Sequence, residues 1–404
     1  MPRYIILSES LFTARDWDRF GCEELQRNGY QVQPVQIAVA LGNRAPQQNT
    51  NFVSIVGVVE PSSLDALEGL LSGLGPSDIV LVESRLSKTT WPLFQLFRRR
   101  AIRYSAVDLG NLPQHRMKSP RAALSRAEYF RLLGNDLGGF LHRLRVLVSL
   151  MVFRGFEYFR LQPPSMWFTA GKSISRIGSG LPKYWQARRI SAPSFDWLAV
   201  QAAQEAAPKR VLADQGTAVF LDEAFLDHPD FDALDFSRPV TERYWTQLET
   251  FFEAVETRTG LKVIIAPHPK SSGWIPEKCR SRIGAIGSTL QLVRDCRLVL
   301  CHASTSVSYA VLFRKPLLFV TTDEIERSRF GKPIARMSSC FARRRLNADC
   351  FAPHEIEIPP VDEREYRAYE AAYLRAPDAI AVSPWEFMRR HALSLAVEGI
   401  QHGA

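Results

Sequence analysis

The chain has 404 residues, 46% hydrophobic and 23% charged, a composition of water-soluble globular proteins and a length that suits two ordinary domains. With 51 Lys and Arg against 42 Asp and Glu, the net charge is +9, which favours anionic partners. No compact Lys/Arg block marks a nucleic-acid arm, so nucleic acid is set aside. The six cysteines form no CxxC and no His/Cys metal spacing, a pattern of reduced thiols in a cytosolic protein. The opening MPRYIILSES is too short and too polar-flanked for a signal peptide. No run reaches the ~18 apolar residues of a spanning helix. These features predict a cytoplasmic protein.

In chain order, RYIILS (3–8) reads as a buried strand and DWDRFGCEELQRNG (16–29) as an amphipathic helix stopped by Asn28-Gly29. YQVQPV and FVSIVGVV (52–59) read as strands, SSLDALEGLLSGLG (62–75) as a serine-capped helix, and DIVLVE (78–83) as a strand. TTWPLFQLFRRR (89–100) predicts a helix and IRYSAVDLG (102–110) a strand. Strands alternating with helices predict a mostly parallel sheet covered on both faces.

Residues 116–160 interrupt this rhythm with a basic helical insertion of nine Lys/Arg against three Asp/Glu. Leu137, Phe140, Leu141, Leu144, Val148 and Met151 recur there at helical spacing. Such a stripe either packs on the sheet or lies on the anionic inner membrane surface. MWFTAG (166–171) and ARRISAPSFDWLAV (187–200) return to short elements, and QAAQEAAPKR (201–210) reads as a linker or a helix entering one.

A second alternating run follows. TAVFLDE (217–223), LKVIIAP (261–267), RLVLCH (297–302) and KPLLFVTT (315–322) predict strands; 242–260, 288–296 and 306–313 predict the intervening helices. A helical stretch from 362 to about 376 and a helix over 384–400 close the chain. The fold class expected is α/β, two doubly wound domains of 1–205 and 206–380 facing one another, with 381–404 packing back across them.

Ligands of such sheets bind beyond the carboxyl ends of strands. In the second half those ends are unusually polar: Asp222-Glu223, His268-Pro269-Lys270, His302-Ala303-Ser304-Thr305-Ser306 and Thr321-Thr322-Asp323-Glu324. The HASTS turn follows a strand and opens a helix, so its hydroxyls and free N–H groups serve either as a helix cap or as a phosphate site. In HPK, Pro269 fixes the direction of the backbone beside His268. An imidazolium aimed there can neutralise charge on a departing phosphate; the bland alternative is a surface turn.

HP after one strand and S-S/T after a later one resemble the two motifs of bacterial sialyltransferases and related capsule and lipooligosaccharide transferases. The resemblance covers roughly 215–325. It implies the GT-B fold, two Rossmann-like domains with the active site between them, and transfer from a CMP-activated acidic sugar with no metal in the chemistry. His268 would contact the leaving phosphate of the donor. Ser304, Thr305 and Ser306 would hold phosphate or nucleotide; Pro269, Lys270 and His302, on the same rim of polar strand ends, are the further donor-binding candidates. No cofactor is expected beyond the nucleotide-sugar donor. The partners implied are that donor, a glycan or lipid-linked glycan acceptor, and peripheral contact with the inner membrane.

The chain departs from the family in its acidic motif, where Asp222-Glu223-Ala224 lacks the expected Gly. Inverting transfer needs a base for the acceptor hydroxyl. Asp222 is the first candidate and Glu223 the second. Glu9 and Glu83, at strand ends of the first half, compete on the acceptor side. Asp227 and His228 either line the acceptor cleft or form a turn. DWD (16–18) and DFD (230–232) imitate a metal-binding DxD, but the first opens a helix. TAGKS (169–173) lacks the first Gly of a phosphate loop. Rival readings are a sugar-nucleotide epimerase or polyol-phosphate transferase on the same fold, or a non-catalytic polysaccharide-binding protein.

Overall fold

The structure is a computed structural model that describes residues 1–43, 55, 57–84, 87, 89–110, 112–113, 161–172, 187–206, 216–227, 238–269, 271 and 276–402. The basic insertion at 116–160, Lys270 and His228 lie outside the described residues, as does half of the strand expected at 52–59. Val59 makes an isolated parallel bridge to Val35.

The first domain is a six-stranded sheet of β1 (Arg3–Ser8), β2 (Gln31–Gln36), β3 (Ile79–Val82), β4 (Ser105–Asp108), β5 (Met166–Ala170) and β6 (Arg188–Ala192). The strands run in the order β2-β1-β3-β4-β5-β6 and every pairing is parallel. Pro34 falls on β2, the edge strand, where a missing N–H breaks no interior ladder. The second domain holds β7 (Thr217–Leu221), β8 (Lys262–Ala266), β9 (Leu298–Cys301), β10 (Leu317–Thr321) and β11 (Arg345–Asn347), ordered β11-β10-β9-β7-β8 and again parallel. The central strands β3, β9 and β10 are buried at every residue, the signature of sheets covered on both faces.

In each sheet the first strand sits between the second and the third, so the winding reverses beside β1 and beside β7. Such reversals open a crevice at the carboxyl ends of the strands. Two Rossmann-like domains face each other across it, which is the GT-B arrangement.

The covering helices are, in order, α1 (Ala14–Arg19), α2 (Cys22–Arg27), α3 (Leu64–Leu70), α4 (Trp91–Arg99), α5 (Phe195–Ala206), α6 (Arg243–Thr259), α7 (Thr289–Asp295), α8 (Val307–Leu312), α9 (Asp323–Arg327), α10 (Gly331–Ser339), α11 (Glu363–Tyr369) and α12 (Pro384–His402). Local chemistry explains several ends. Ser63 Oγ accepts the Ala66 N–H to cap α3, and Gly260 in the left-handed region ends α6. The amphipathic α6 buries Tyr244, Trp245, Leu248, Phe251, Phe252 and Val255 against the second sheet.

One expected helix is two. The stretch expected at 16–29 breaks at Gly21, whose φ of +60° places it in the left-handed region between α1 and α2. A side chain there would also overlap the Trp385 indole of α12. Trp385, Met388 and Ala392 join the core of the first domain with Tyr4, Phe20 and Phe168.

The chain reaches that docking site by crossing from one domain to the other. Tyr366, Tyr369 and Leu374 are part of the second core. The N–H groups of Lys172 and Ser194 then donate to the carbonyls of Ala371 (3.0 Å) and Leu374 (2.7 Å), and Ile380 N–H donates to Ser191 (2.9 Å). Gly171, with φ +64°, lets the main chain of Ala372 pass where any side chain would collide.

Candidate active site

A cleft of about 930 Å³ lies between the carboxyl edges of the two sheets. Its first-domain wall is formed by α1 and its approach, by the segment after β6 and by α5. The opposite wall follows β7, β8 and β9 and brings Asp222, His268, Pro269, Ser304, Thr305 and Ser306 to the lining.

Asp222 is the first residue beyond β7 and only 4% exposed. Its Oδ1 accepts the Ala224 N–H at 3.0 Å and its Oδ2 the His268 N–H at 3.4 Å. The Asp222 N–H in turn donates to Ala266 at 3.1 Å. The carboxylate therefore holds the turn after β7 and the HP elbow after β8 together. Burial pushes its pKa up to about 6; the N–H groups of Ala224 and His268 pull the other way, and the charge of Asp227 adds to the rise. A carboxyl tuned there is ionised at neutral pH and basic enough to accept a proton.

Glu223 points elsewhere. Its Oε1 accepts the Ala303 N–H at 2.5 Å, tying the end of β7 to the end of β9. Its pKa is pushed up to about 7, first by burial, against the Ala303 hydrogen bond and helped by Asp222. Glu223 is not part of the cleft lining. Of the two adjacent carboxylates, the alternation of an extended chain sends one to the cleft and the other to a structural tie.

His268 and Pro269 are half-buried on the cleft wall, and the His268 carbonyl accepts the Ser271 N–H at 3.0 Å. Beyond β9, Ser304 Oγ accepts the Ser306 N–H at 3.2 Å. Ser306 takes the N-cap position of α8, but its own hydroxyl makes no capping bond. The side chains of Thr305 and Ser306 thus stand at the cleft without a capping duty.

Other expected site residues fall away from the cleft. His302 is fully buried, packed against Phe220, Phe225 and Tyr244. Its Nδ1 lies 2.7 Å from the Val320 carbonyl and its Nε2 2.9 Å from the Tyr244 hydroxyl. With burial pulling its pKa down to about 4, it is a neutral core histidine and not a donor ligand. The polar end of β10 is also structural: Thr322 Oγ1 accepts the Ile325 N–H to cap α9, and Glu324 accepts from the Thr241 N–H and hydroxyl. Glu9 and Glu83 sit beyond β1 and β3 outside the cleft lining. Burial raises the Glu9 pKa, and Glu83 is exposed. Asp227 closes a turn, its N–H on Ala224 (3.1 Å) and its Oδ2 accepting from Ser271 Oγ (2.9 Å). Asp16 of the DWD stretch accepts from the Thr13 N–H and hydroxyl at the start of α1.

The sequence reading missed the opposite wall. Arg15 and Arg19 of α1, the Phe195-Asp196-Trp197 run that opens α5, and Arg375 all line the cleft. Asp196 is 9% exposed and accepts hydrogen bonds from the side chains of Ser308 and Tyr309, joining α5 to α8 across the domains. Arg15 and Arg19, one helical turn apart, were the available signal.

No protein-family model matches the chain, and no curated protein matches it. Among solved structures, the wall teichoic acid polymerase TagF is similar over 100% of this chain and 90% of its own, at 10% identity and a TM-score of 0.48. The glycotransferase of kitacinnamycin is similar over 100% and 97% respectively, at 11% identity and a TM-score of 0.43. The UDP-GlcNAc 2-epimerase from Methanocaldococcus jannaschii is similar over 96% and 99%, at 10% identity and a TM-score of 0.44. At identities and TM-scores this low the likeness is a loose one of architecture, and the two doubly wound domains stand on the strand order itself.

Proposed function

We propose that the chain is an inverting glycosyltransferase that moves a sugar from a nucleotide-activated donor to a glycan acceptor within this cleft. The observation that carries the reading is the pairing of Asp222 with the HP elbow. A buried carboxyl with a pKa near 6 reaches the cleft beside His268, opposite a wall supplied by the other domain. That the HP and STS loops line an open cleft of about 930 Å³ favours an enzyme over a non-catalytic binder.

In this reading Asp222 takes the proton of the acceptor hydroxyl as its oxygen attacks the anomeric carbon. The bond from that carbon to the phosphate oxygen breaks, and the leaving phosphate gathers charge. His268, Thr305 and Ser306 offer hydrogen bonds where that charge develops. These groups meet the leaving phosphate without a metal. The resemblance of the HP and S-S/T motifs makes a CMP-linked acidic sugar, of nonulosonate or Kdo type, the first donor to test. A bacterial surface polysaccharide is the product expected.

Thermal melting with CMP, CDP, UDP and GDP tests the nucleotide, since a ligand of the native state raises the melting temperature by mass action. CMP is expected to give the largest rise. A rise with none of the four would overturn the nucleotide-sugar reading. Conversion of the labelled donor to a stereoisomer, with no label passed to any acceptor, would point to epimerisation instead.

A further inference from the structure

Three consecutive residues at the start of α5 each engage an arginine. The Arg19 guanidinium lies 5.2 Å from the centre of the Phe195 ring, and Arg375 lies 5.2 Å from that of Trp197. Between them, Asp196 attracts both Arg15 and Arg19. Two cations thus converge on one carboxylate, which Ser308 and Tyr309 already engage, and a third, Arg375, stands beside it on the neighbouring Trp197 ring. Asp16, the next acidic neighbour of Arg15, accepts from Thr13. None of the three arginines forms a salt bridge among the described residues. Nε of Arg375 is buried there without a hydrogen-bond partner.

Like charges held together cost free energy unless an anion joins them. Aromatic rings lie beside the guanidinium groups of Arg19 and Arg375, and a guanidinium so placed can offer its N–H groups to planar or tetrahedral oxyanions. The cluster belongs to the first domain and to the strand of chain that crosses back to it. It faces the wall that carries His268 and Ser304.

We propose that Arg15, Arg19 and Arg375 form an oxyanion site for an acidic acceptor, one bearing a phosphate or carboxylate, separate from the site of the donor phosphate. The assignment of this site to the acceptor rests on the glycosyltransferase reading above. An acidic acceptor would be held by its charge on the first-domain wall while its hydroxyl meets Asp222.

Titration calorimetry on the full chain tests this with three probes: pyrophosphate, trigalacturonate and neutral maltotriose. Each is titrated with and without the nucleotide that raises the melting temperature most. The two anions are expected to bind and maltotriose to bind more weakly, and saturating nucleotide should leave trigalacturonate affinity unchanged. Arg15→Gln with Arg19→Gln should weaken both anions about tenfold or more, since each charge-assisted hydrogen bond lost is a sizeable part of the affinity. Because Asp196 could destabilise that variant once its cations are gone, Arg375→Gln serves as a second, and the same anion loss is expected there. Anion binding equal in wild type and both variants, or no anion binding at all, would overturn the site. Loss of trigalacturonate binding at saturating nucleotide would overturn its separateness and give the arginines to the donor phosphate. Failure of every nucleotide to bind would count against the glycosyltransferase reading alone, because the anion titrations do not need it.

Discussion

Asp222 and His268 come from neighbouring parallel strands, and Oδ2 of the first accepts the main-chain N–H of the second at 3.4 Å. One carboxylate therefore fixes the elbow that aims the imidazole and also reaches the cleft. Asp222→Asn keeps the size and one acceptor while removing the base. Transfer is expected to fall by ~10²–10⁴. In the wild type kcat/KM should rise with pH through about 6, the value to which burial pushes this carboxyl. A pH profile of Asp222→Asn that retains the same rise would assign the base elsewhere.

Stability should carry the same signature with a definite sign. The Asp222 pKa is raised from 3.8 to about 6 in the folded chain, so between those values the native state holds the proton more tightly than the unfolded one. Its contribution therefore declines as pH rises through that window and is level above it. Asn removes this decline. Denaturant melts at pH 4 and pH 6 should show Asp222→Asn gaining on the wild type as pH rises.

His268→Ala should lower turnover by ~10²–10³ while nucleotide affinity changes less, because charge on the leaving phosphate peaks in the transition state. Single-turnover rates and equilibrium binding on one preparation separate the two. Equal turnover would leave the HP elbow as a turn.

Replacing Thr305 by Ala and Ser306 by Val should raise the nucleotide dissociation constant by ~10²-fold, at ~1.5–3 kcal/mol for each hydrogen bond to a charged group. The melting temperature should hold, since neither hydroxyl caps α8 and Ser304 Oγ still accepts the N–H of residue 306. An unchanged affinity with an earlier melt would make the turn structural.

His302→Ala should do the reverse. It opens a cavity among Phe220, Phe225 and Tyr244 and strips partners from the Tyr244 hydroxyl and the Val320 carbonyl. A loss of ~3 kcal/mol is expected, with nucleotide affinity per folded molecule unchanged. A normal melt with weakened binding would return His302 to the donor site.

Much of this was legible in the chain. Runs such as RYIILS, KVIIA and LVLC are apolar without alternation, and a strand buried on both faces has to be so, which made two parallel sheets readable. The helix breaks at Gly21 because a left-handed residue and the Trp385 indole meet there, and Trp385 is 364 positions away in the chain. Asp222 and Glu223 look equivalent as neighbours; only the registry of β7 against β8 and β9 sends one to His268 and the cleft and the other to Ala303. His302 follows a strand as His268 does, yet Tyr244 of α6 and the Val320 carbonyl of β10 close over it. Local composition determined which elements form, because periodicity and capping act over a few residues. Which polar groups meet water and which are buried was decided by contacts between distant elements. The arginines around Phe195, Asp196 and Trp197 belong to that second kind: they gather at one wall only once α1, α5 and the returning chain are folded together.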